Sequence, residues 1–459
     1  MTLSAIGERA EWTFGALVRE SGALSATFAR QGVGRGAVVL TVLGNRIEYV
    51  LTILACLRVG AVALPCSEQL RPKDLALRMA RAQSSLVLCD ERNRDAVDAA
   101  NPQCPVLTVP DPALIAAAEP PPYADLGPLD PSFVLFTSGT TGEPKLATHG
   151  QRYVWGQHVQ ASSWFGARPG ELAWSTAAPG WSKSARNAFI APWLCGAVAL
   201  LEDRRFDPAE RLATVRREHV AALCMAPTEY RLIAAHGAVR DVPSLRRLVT
   251  AGEALGVRAV EDWRAQTGLT IADGYGQTET GHLAGVRPGE LAPPGSMGRP
   301  LPGVRVEIVG SELLVDPATV PTFFLGYDGH PAPAGMWHTG DQVRQDDEGW
   351  LYFEARTDDV IISAGYRIGP AEVESTLLSH PAVREVAVIG LPDTDRGEIV
   401  AAVVVLRDGY VASDLLAREL QEHVKAETAP YKYPRQVSFA ADLPRTTTGK
   451  IHRAALRPR

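Results

Sequence analysis

The N-terminal part of the sequence alternates short apolar runs with segments of helical spacing. The apolar runs suit buried strands, and the segments between them place apolar residues on one helical face. In chain order the predicted elements are strand Ala37–Leu43, helix Ile47–Leu57, strand Ala61–Pro65, helix Arg71–Ala82 and strand Ser85–Cys89. Such strand–helix repetition predicts a parallel sheet with helices packed on its faces. The chain is therefore predicted to belong to the α/β class.

The pattern changes twice further along the chain. The α/β periodicity continues over about 185–275, and glycines, prolines and aromatic residues then predict a small β-rich subdomain over 295–355. A compact α+β unit follows. Its predicted elements are strand Asp359–Ile362, helix Pro370–Ser379, strands Glu385–Ile389 and Val400–Leu406, and helix Ser413–Ala429. We expect a large N-terminal domain of residues 1–357 and a small C-terminal domain of residues 358–459.

Residues 101–131 contain nine prolines, including three in succession at 120–122. Proline removes a backbone donor and punctuates regular structure, so this stretch is predicted to be an irregular connector. Because the apolar strand Phe133–Phe136 follows at once, we expect the connector to cross the surface within one domain.

Composition and charge exclude several classes of function. The 46 basic and 52 acidic residues give a net charge of −6, which removes the electrostatic motive for binding nucleic acid or an anionic membrane. The N-terminal residues MTLSAIGERAEW lack a secretory signal, and no apolar run reaches the roughly 18 residues of a membrane span. We therefore expect a cytoplasmic protein. The six cysteines and ten histidines show no metal-ligand spacing, so reduced thiols are expected.

The strongest local signal is the run FTSGTTGEPK, residues 136–145, which follows the predicted strand. Gly139 and Gly142 allow backbone N–H groups to turn inward, and Lys145 adds positive charge. Four hydroxyl groups supply further donors, at Thr137, Ser138, Thr140 and Thr141. The spacing differs from the Walker pattern, and no Ser or Thr follows the lysine. The run predicts a phosphate-binding loop, with a polar surface loop as the alternative.

A second cluster, DGYGQTET at 273–280, follows the predicted strand Thr270–Ala272. A ligand-binding loop is expected at the carboxyl end of such a strand. Within it, Asp273 and Gln277 offer polar contacts and Tyr275 a stacking face. Glu279 offers a hard oxygen ligand for Mg²⁺. In isolation the string is equally typical of a turn.

Two further clusters lie towards the C-terminus. Asp341 ends the run WHTGD and precedes Arg356 by fifteen residues; the two side chains could clamp a ribose diol or form an ordinary surface ion pair. The segment Leu443–Arg453 presents Lys450 in a Gly/Thr-rich loop, which could also be a disordered terminus.

Taken together in order, these motifs resemble the acyl-adenylate-forming superfamily of acyl-CoA synthetases, adenylation domains and luciferases. The shared motifs are TSGTTGEPK, AGEAL, GYGQTETG, HTGD, ARTDDVIISAGYRIGPAEVES and PRTTTGKIHR. The segments that look most like medium-chain acyl-CoA synthetases are APGWSKSARNAFIAPWLCGA, APTEYR and YKYPR. The resemblance covers the chain from about Trp12 to Arg453.

The resemblance implies that the chain joins a carboxylic acid to AMP with loss of pyrophosphate and then passes the acyl group to CoA. Catalysis would consist mainly of positioning and charge neutralisation, with Mg²⁺ as cofactor and ATP and CoA as co-substrates. By similarity the catalytic residues are Lys145, Thr278, Glu279 and Lys450, with Glu279 on the metal. The implied ATP/AMP-binding residues are Thr137, Ser138, Gly139, Thr140, Thr141, Gly142, Lys145, Gly252, Glu253, Ala254, Asp273, Gly274, Tyr275, Gly276, Gln277, Thr278, Asp341, Arg356 and Lys450.

The same resemblance implies the sites for the acyl group and for CoA. The acyl group would be lined by Trp181, Ser184, Gly276 and Arg367, with Lys183 and Asn187 close by. The implied CoA contacts are Ala364, Gly365, Tyr366, Arg396, Tyr433 and Arg435; a solvated arginine is the alternative for Arg396 and Arg435. Asp358 matches the hinge about which the C-terminal domain would rotate between the two half-reactions.

The sequence departs from the family pattern in two respects. Fewer residues than usual precede the phosphate loop, so we expect an N-terminally shortened domain. Ala355 and Ala364 replace a usual glycine and a frequent serine. Two alternatives stay open beside a CoA ligase: an adenylating enzyme that loads a carrier protein or an amine, and a non-catalytic ligand sensor. The resemblance implies a medium-chain or aromatic acid, but the sequence gives neither its identity nor its chain length. A homo-oligomer is possible.

Overall fold

The computed structural model describes residues 2–5, 8–116, 119–137, 144–236, 239, 241–253, 255, 257–357, 359–363, 366–394, 396–428, 430–445 and 451–457. The α-helices formed by these residues are Phe14–Arg30, Ile47–Val59, Pro72–Ala82, Glu91–Ala99, Arg152–Gly156, His158–Gln160, Lys183–Ala185, Ala191–Leu194, Pro208–Arg217, Pro227–Ala235, Val257–Thr267, Pro370–Ser379 and Asp414–Glu427. The other helical turns are π-helical at Ala161–Phe165 and Arg186–Ile190, and 3₁₀-helical at Pro112–Ile115, Pro317–Thr319, Pro430–Lys432 and Arg453–Leu456.

The strands of the described residues assemble into five sheets, and the strands of each sheet are named in their spatial order. The eight-stranded sheet contains His330–Pro331, Gly326–Tyr327, Lys145–Gly150, Pro131–Thr137, Val62–Cys66, Val38–Val42, Ser84–Asp90 and Val106–Val109. The seven-stranded sheet contains Ile271–Ala272, Arg247–Val249, Ala222–Cys224, Leu172–Ser175, Val198–Glu202, Thr2–Ala5 and Glu8–Glu11. The three-stranded sheet contains Gly274–Gln277, Gly281–Gly285 and Arg299–Pro300. The four-stranded sheet contains Val306–Val309, Glu312–Val315, Trp337–Gln345 and Leu351–Arg356. The five-stranded sheet contains Tyr366–Ile368, Ile361–Ser363, Gly397–Leu406 and Val383–Asp393, with Gln436–Phe439 beside Gly397–Leu406.

The eight-stranded sheet confirms the predicted α/β repetition. Its strand Val38–Val42 pairs in parallel with both Val62–Cys66 and Ser84–Asp90. Successive residues of a strand point to opposite faces, and here Val39 enters the core beneath one layer of helices while Leu40 enters the core beneath the other. Both faces are therefore covered, as a parallel sheet requires.

The prediction that residues 101–131 form an irregular connector is wrong in part. Residues Val106–Val109 form the edge strand of the eight-stranded sheet and pair in parallel with Ser84–Asp90. Pro105 and Pro110 flank this strand and leave its own backbone donors free to pair. The flanking prolines thus restrict the length of this strand and its position to the sheet edge, but they do not prevent the strand from forming.

The seven-stranded sheet delivers part of the site. Its neighbouring strands Arg247–Val249 and Ile271–Ala272 run parallel, and Thr250 N donates to the carbonyl of Ala272 over 3.0 Å. Consequently the segments that follow these strands, Ala251–Gly252 and Asp273, emerge at the same edge of the sheet.

The β-rich region predicted over 295–355 is confirmed by the strands of the three- and four-stranded sheets. The cluster at 273–280, predicted as a loop, is in part a strand: Gly274–Gln277 pairs antiparallel with Gly281–Gly285. Four glycines lie in this pair of strands, and one of them allows a close approach of the two backbones that a bulkier residue would prevent. At Gly276, an added Cβ would lie 1.9 Å from the carbonyl oxygen of Gly281.

The C-terminal residues form the predicted small α+β domain. Helix Pro370–Ser379 has the predicted bounds. The predicted strand at 359–362 instead occupies Ile361–Ser363, and the strand Gln436–Phe439 was not predicted. The core of this domain includes Val388, Val404 and Leu420. Within the described parts of the chain, no helix is long and apolar enough to cross a membrane.

One glycine fixes the packing between the three- and four-stranded sheets. Gly298 has φ +96°, and a Cβ there would lie 2.0 Å from the carbonyl carbon of Gly285. Gly295 has φ +78° with nothing within 4 Å of an added Cβ. At both positions the positive φ disfavours any residue with a side chain. Only at Gly298 would the added side chain also clash with a neighbouring backbone atom.

We therefore expect Gly295→Ala to lower the free energy of unfolding by about 1 kcal/mol, and Gly298→Ala to lower it by roughly 3 kcal/mol or more. Equilibrium denaturant unfolding of both variants measures the difference. Equal losses of stability would contradict a steric role for Gly298.

Candidate active site

The centre of the site is the buried carboxylate of Asp341, which is 4% exposed. Asp341 lies directly opposite Arg356 in the four-stranded sheet, and Arg356 Nη1 donates to Asp341 Oδ1 over 2.7 Å. Gln277 Nε2 donates to Asp341 Oδ2 over 2.7 Å, and the Tyr275 hydroxyl donates to the same oxygen. This burial distinguishes the pair from an ordinary surface ion pair.

The neighbouring backbone completes this network. Both Arg356 Nη1, at 3.1 Å, and Gln277 Nε2, at 2.7 Å, also donate to the carbonyl of Thr339. Trp337 Nε1 donates to Gln277 Oε1 over 3.0 Å. Burial, and secondly the Asp341 carboxylate, raise the pKa of Tyr275 well above its ordinary value, so its hydroxyl stays a donor.

A second group joins Glu279, Tyr327 and Lys145. The Tyr327 hydroxyl donates to Glu279 Oε1, and Lys145 Nζ lies 5.1 Å from the centre of the Tyr327 ring. Burial and the Glu279 carboxylate raise the pKa of Tyr327 above its ordinary value. Tyr327 therefore contacts the Glu279 carboxylate through its hydroxyl and lies beside the Lys145 ammonium through its ring.

Lys145 and Thr137 face each other across the hairpin that frames the predicted phosphate loop. The loop residues Ser138, Gly139, Thr140, Thr141 and Gly142 lie outside the described residues. The carboxylate of Glu279 fits the preference of Mg²⁺ for oxygen ligands. Across the described ranges, no three His, Cys, Asp or Glu side chains cluster as a metal site, so a cation here would take its other ligands from phosphate and water.

Lys183 connects the site to the seven-stranded sheet. It is 6% exposed, its Nζ donates to the carbonyl of Ala251 over 2.8 Å, and it lies 4.9 Å from the centre of a Trp181 ring. Burial raises the pKa of Asp273 to about 8, against a partial lowering by the Gly274 N–H and by Lys183. Glu253, next to Gly252, accepts a hydrogen bond from Thr228 Oγ1 at 2.9 Å. Ala254 lies outside the described residues.

Of the residues predicted for the acyl group, Trp181 lines a cavity in the described structure. Trp181 shares a cavity with Phe136, Arg78 and Gly180. Gly180 has φ +92°, and an added Cβ there would lie 2.4 Å from Ser67 N, which fixes the chain close to the eight-stranded sheet. Ser184 and Asn187 are fully buried, so their side chains face the interior. Gly276 lies in strand Gly274–Gln277, and Thr278 begins the turn that follows this strand.

The C-terminal residues predicted to contact CoA are only partly described. Tyr366 stacks on Tyr431 at 4.3 Å between ring centres. Arg435 Nη1 donates to the Tyr433 hydroxyl over 2.7 Å, while Arg396 N is bound by Asp393 Oδ1 at 3.0 Å. The predicted residues Ala364, Gly365, Asp358 and Lys450, and the side chain of Arg367, lie outside the described part of the chain.

Sequence reasoning missed one residue of this site, Tyr327. It lies in the two-residue strand Gly326–Tyr327, and no quoted motif contains it. A tyrosine between two glycine-containing turns is not distinctive, so only the pairing of that strand with Lys145–Gly150 reveals its place.

Two family models match the chain: AMP-binding enzyme over residues 2–321, and the AMP-binding enzyme C-terminal domain over residues 372–450. The uncharacterized acyl--CoA ligase YtcI of Bacillus subtilis strain 168 is 36% identical over 485 residues, covering 99% of this chain and 91% of YtcI. The mitochondrial acyl-coenzyme A synthetase ACSM4 of Rattus norvegicus is 36% identical over 494 residues, covering 98% of this chain and 84% of ACSM4. Among solved structures, the anthranilate CoA ligase AuaEII in complex with anthranoyl-AMP is 26% identical, with a TM-score of 0.90 and coverage of 99% of this chain and 93% of that one.

Because the pKa of Asp273 is raised, the free energy of unfolding is expected to fall as pH rises. Between its ordinary value of 3.8 and about 8, the folded protein binds a proton that the unfolded chain has lost. The free energy of unfolding therefore falls as pH rises through this window, by up to about 1.4 kcal/mol per pH unit. We expect Asp273→Asn to lack this contribution, so that wild type loses stability relative to the variant from pH 5 to pH 8.

Denaturant unfolding of both proteins at each pH measures this divergence. Asp130→Asn is the matched control, because Arg35 lowers the pKa of Asp130 and its titration lies below the window. Parallel curves for wild type and Asp273→Asn would contradict the assignment.

Proposed function

The chain belongs to the AMP-binding enzyme family, and we propose that it activates a carboxylic acid with ATP to an acyl-adenylate and then transfers the acyl group to CoA. The observation that carries the proposal is the Asp341 network with Glu279 and Lys145 beside it. A buried carboxylate held by an arginine suits a ribose diol, whose hydroxyls donate to it. The Glu279 carboxylate suits a metal ion and the Lys145 ammonium suits phosphate oxygens, so the two groups that Tyr327 joins suit a metal-bound polyphosphate.

On this proposal, Asp341 and Arg356 hold the ribose, and the adenine lies between Gly252–Ala254 and Asp273–Gln277. Lys145 and the loop Thr137–Gly142 surround the β- and γ-phosphates, while Thr278 contacts the α-phosphate. Glu279 would hold Mg²⁺, which neutralises phosphate charge when it is bound. Because the acid and ATP are both anionic, these positive groups and donors lower the barrier mainly by removing their repulsion.

The C-terminal domain would complete each half-reaction in turn. We place the domain boundary at 357/358 and the hinge at Asp358, with Lys450 acting on the α-phosphate and the substrate carboxylate during adenylation. After rotation, Ala364–Arg367 would approach the acyl-adenylate, and Arg396, Tyr433 and Arg435 would contact CoA. The names of the relatives support CoA as acceptor over a carrier protein or an amine. Lys145 and Glu279, whose loss would mark a non-catalytic sensor, are both present.

The direct test is ATP–pyrophosphate exchange across a panel of carboxylic acids, followed by thioester formation with CoA. We expect at least one acid to support both reactions. Exchange without thioester formation would favour a carrier protein or an amine as acceptor. No exchange with any acid would overturn the proposed function.

Lys450→Ala is expected to separate the two half-reactions. The variant should lose adenylation by at least about 10²-fold, because a charge that acts only in the transition state is removed, yet form thioester from supplied acyl-adenylate at close to the wild-type rate. The exposed Lys73 provides the matched control, since Lys73→Ala should alter neither step. Equal loss of both half-reactions in a folded protein would contradict the role of Lys450.

Asp341→Asn is expected to weaken ATP binding roughly 10- to 100-fold, the worth of a charge-assisted hydrogen bond. Titration with ATP and with its 2′,3′-dideoxy analogue should show that wild type discriminates between them and the variant does not. Asp316→Asn removes a surface partner of Arg305 and should leave both affinities unchanged. Retained discrimination in Asp341→Asn would place the ribose elsewhere.

A further inference from the structure

Arg186 is a buried cation with no counter-charge among the described residues. It begins the π-helical turn Arg186–Ile190 and is 4% exposed. Its Nε and Nη1 have no hydrogen-bond partner within the described structure. Burial lowers its pKa, and the groups that favour its charged form are the Tyr153 hydroxyl and the Cys224 thiol, neither of which is a carboxylate. An unpaired buried charge is costly, so a partner is missing.

Comparable arginines of this fold have acceptors. Arg211, 8% exposed, donates to Glu229 over 3.2 Å. Arg247, also 8% exposed, donates to two main-chain carbonyl oxygens at 2.6 Å each. The Nε atoms of Arg211 and Arg247 also lack a partner, but each of these guanidiniums donates to at least one acceptor, and no such bond joins Arg186 to another described residue.

Further unsatisfied polar groups lie beside Arg186. His282 is 4% exposed, and both of its ring nitrogens lack a partner within the described residues. Gln160 lacks a partner at Oε1, while its Nε2 donates to Asn187, the neighbour of Arg186, over 3.2 Å. His282 and Gln160 line one cavity with Gln157, whose Oε1 is also unpartnered. We call Arg186, His282, Gln157 and Gln160 the polar cluster.

The polar cluster lies behind the walls proposed for the acyl group. His282 pairs directly with Gly276 across the antiparallel strands. Arg186 follows Lys183 by three residues in continuous helical structure, so both side chains project from the same side. Lys183 reaches the carbonyl of Ala251 on the side proposed for the nucleotide. On this inference, the far end of an acid held beside Trp181 and Gly276 meets the polar cluster.

We propose that the acyl pocket ends at Arg186 and His282 and selects a dicarboxylic acid. One carboxylate is activated, and the second pairs with the Arg186 guanidinium and accepts a hydrogen bond from His282. A carboxylate matches the planar donor geometry of arginine and supplies the charge that the described residues lack there. This inference rests on the proposed function and adds the substrate class to it.

The test compares unbranched dicarboxylic acids with monocarboxylic acids of equal length in the pyrophosphate-exchange assay. Wild type is expected to show at least tenfold higher kcat/KM for its best dicarboxylic acid than for the matched monocarboxylic acid. Arg186→Met should lose at least 30-fold on the dicarboxylic acid, mainly through KM, and retain the monocarboxylic rate. Arg186→Lys should recover part of the loss. The KM for ATP should stay unchanged in both variants.

Thermal unfolding supplies an assay that needs no turnover. The dicarboxylic acid should raise the Tm of wild type and leave that of Arg186→Met unchanged. Without ligand, Arg186→Met should be at least as stable as wild type, because an unpaired charge is removed. Arg211→Met is the matched control: it should lower the Tm by leaving Glu229 unpaired, yet keep the ratio between the two acids.

The outcomes separate this inference from the proposed function. Exchange by wild type with monocarboxylic acids but no preference for dicarboxylic ones would overturn the inference and keep the proposed function. Equal losses on both acids in Arg186→Met would also overturn it and assign Arg186 a structural role. If no acid supports exchange, the proposed function fails, and the thermal shift alone decides whether a dicarboxylic acid binds at Arg186.

Discussion

The burial of Asp341 is the constraint on which the rest of the site depends. A carboxylate removed from water needs donors on both oxygens, and Asp341 obtains them from Arg356, Gln277 and Tyr275. The first donor belongs to its own four-stranded sheet, and the other two belong to the three-stranded sheet. The hydrogen bonds therefore fix the two sheets relative to each other. Gly298 serves the same junction, because it packs against Gly285 of the three-stranded sheet while its carbonyl oxygen accepts a hydrogen bond from Leu351 N of the four-stranded sheet over 2.9 Å.

The same principle extends to the other two large sheets. Tyr327 carries the Glu279 contact to the strand beside Lys145 in the eight-stranded sheet, and Lys183 binds the carbonyl of Ala251 at the edge of the seven-stranded sheet. The first contact joins the eight-stranded sheet to the turn that follows strand Gly274–Gln277, and the second joins helix Lys183–Ala185 to the end of the seven-stranded sheet. Polar groups that suit ATP are thus also the groups that hold the sheets together, so their geometry is fixed before any ligand binds.

Local pattern predicted much of this architecture, and the misses share a cause. The strands and helices between Ala37 and Cys89 follow from hydrophobic periodicity, which is a property of neighbouring residues. The strand Val106–Val109 was missed because its pairing with a distant strand outweighs the prolines around it. Tyr327 was missed because its function arises from a contact 48 residues away along the chain. The motifs predicted Asp341 and Arg356 as a pair, but only the fold shows that the carboxylate is buried.

The proposed nucleotide side and the proposed acyl side of the site differ in whether a buried charge has partners within the protein. Around Asp341 the chain supplies its own partners, so a nucleotide that binds there exchanges contacts within a network already in place. Around Arg186 the described residues supply no counter-charge, and on our proposal the desolvation of the guanidinium is offset when a ligand brings the opposite charge. A site that is pre-paired tolerates small changes in its ligand, whereas an unpaired buried cation discriminates strongly against a ligand without the matching group. On the proposed function, generic recognition therefore lies on the side of ATP, which every turnover shares, and selective recognition lies on the side of the acid.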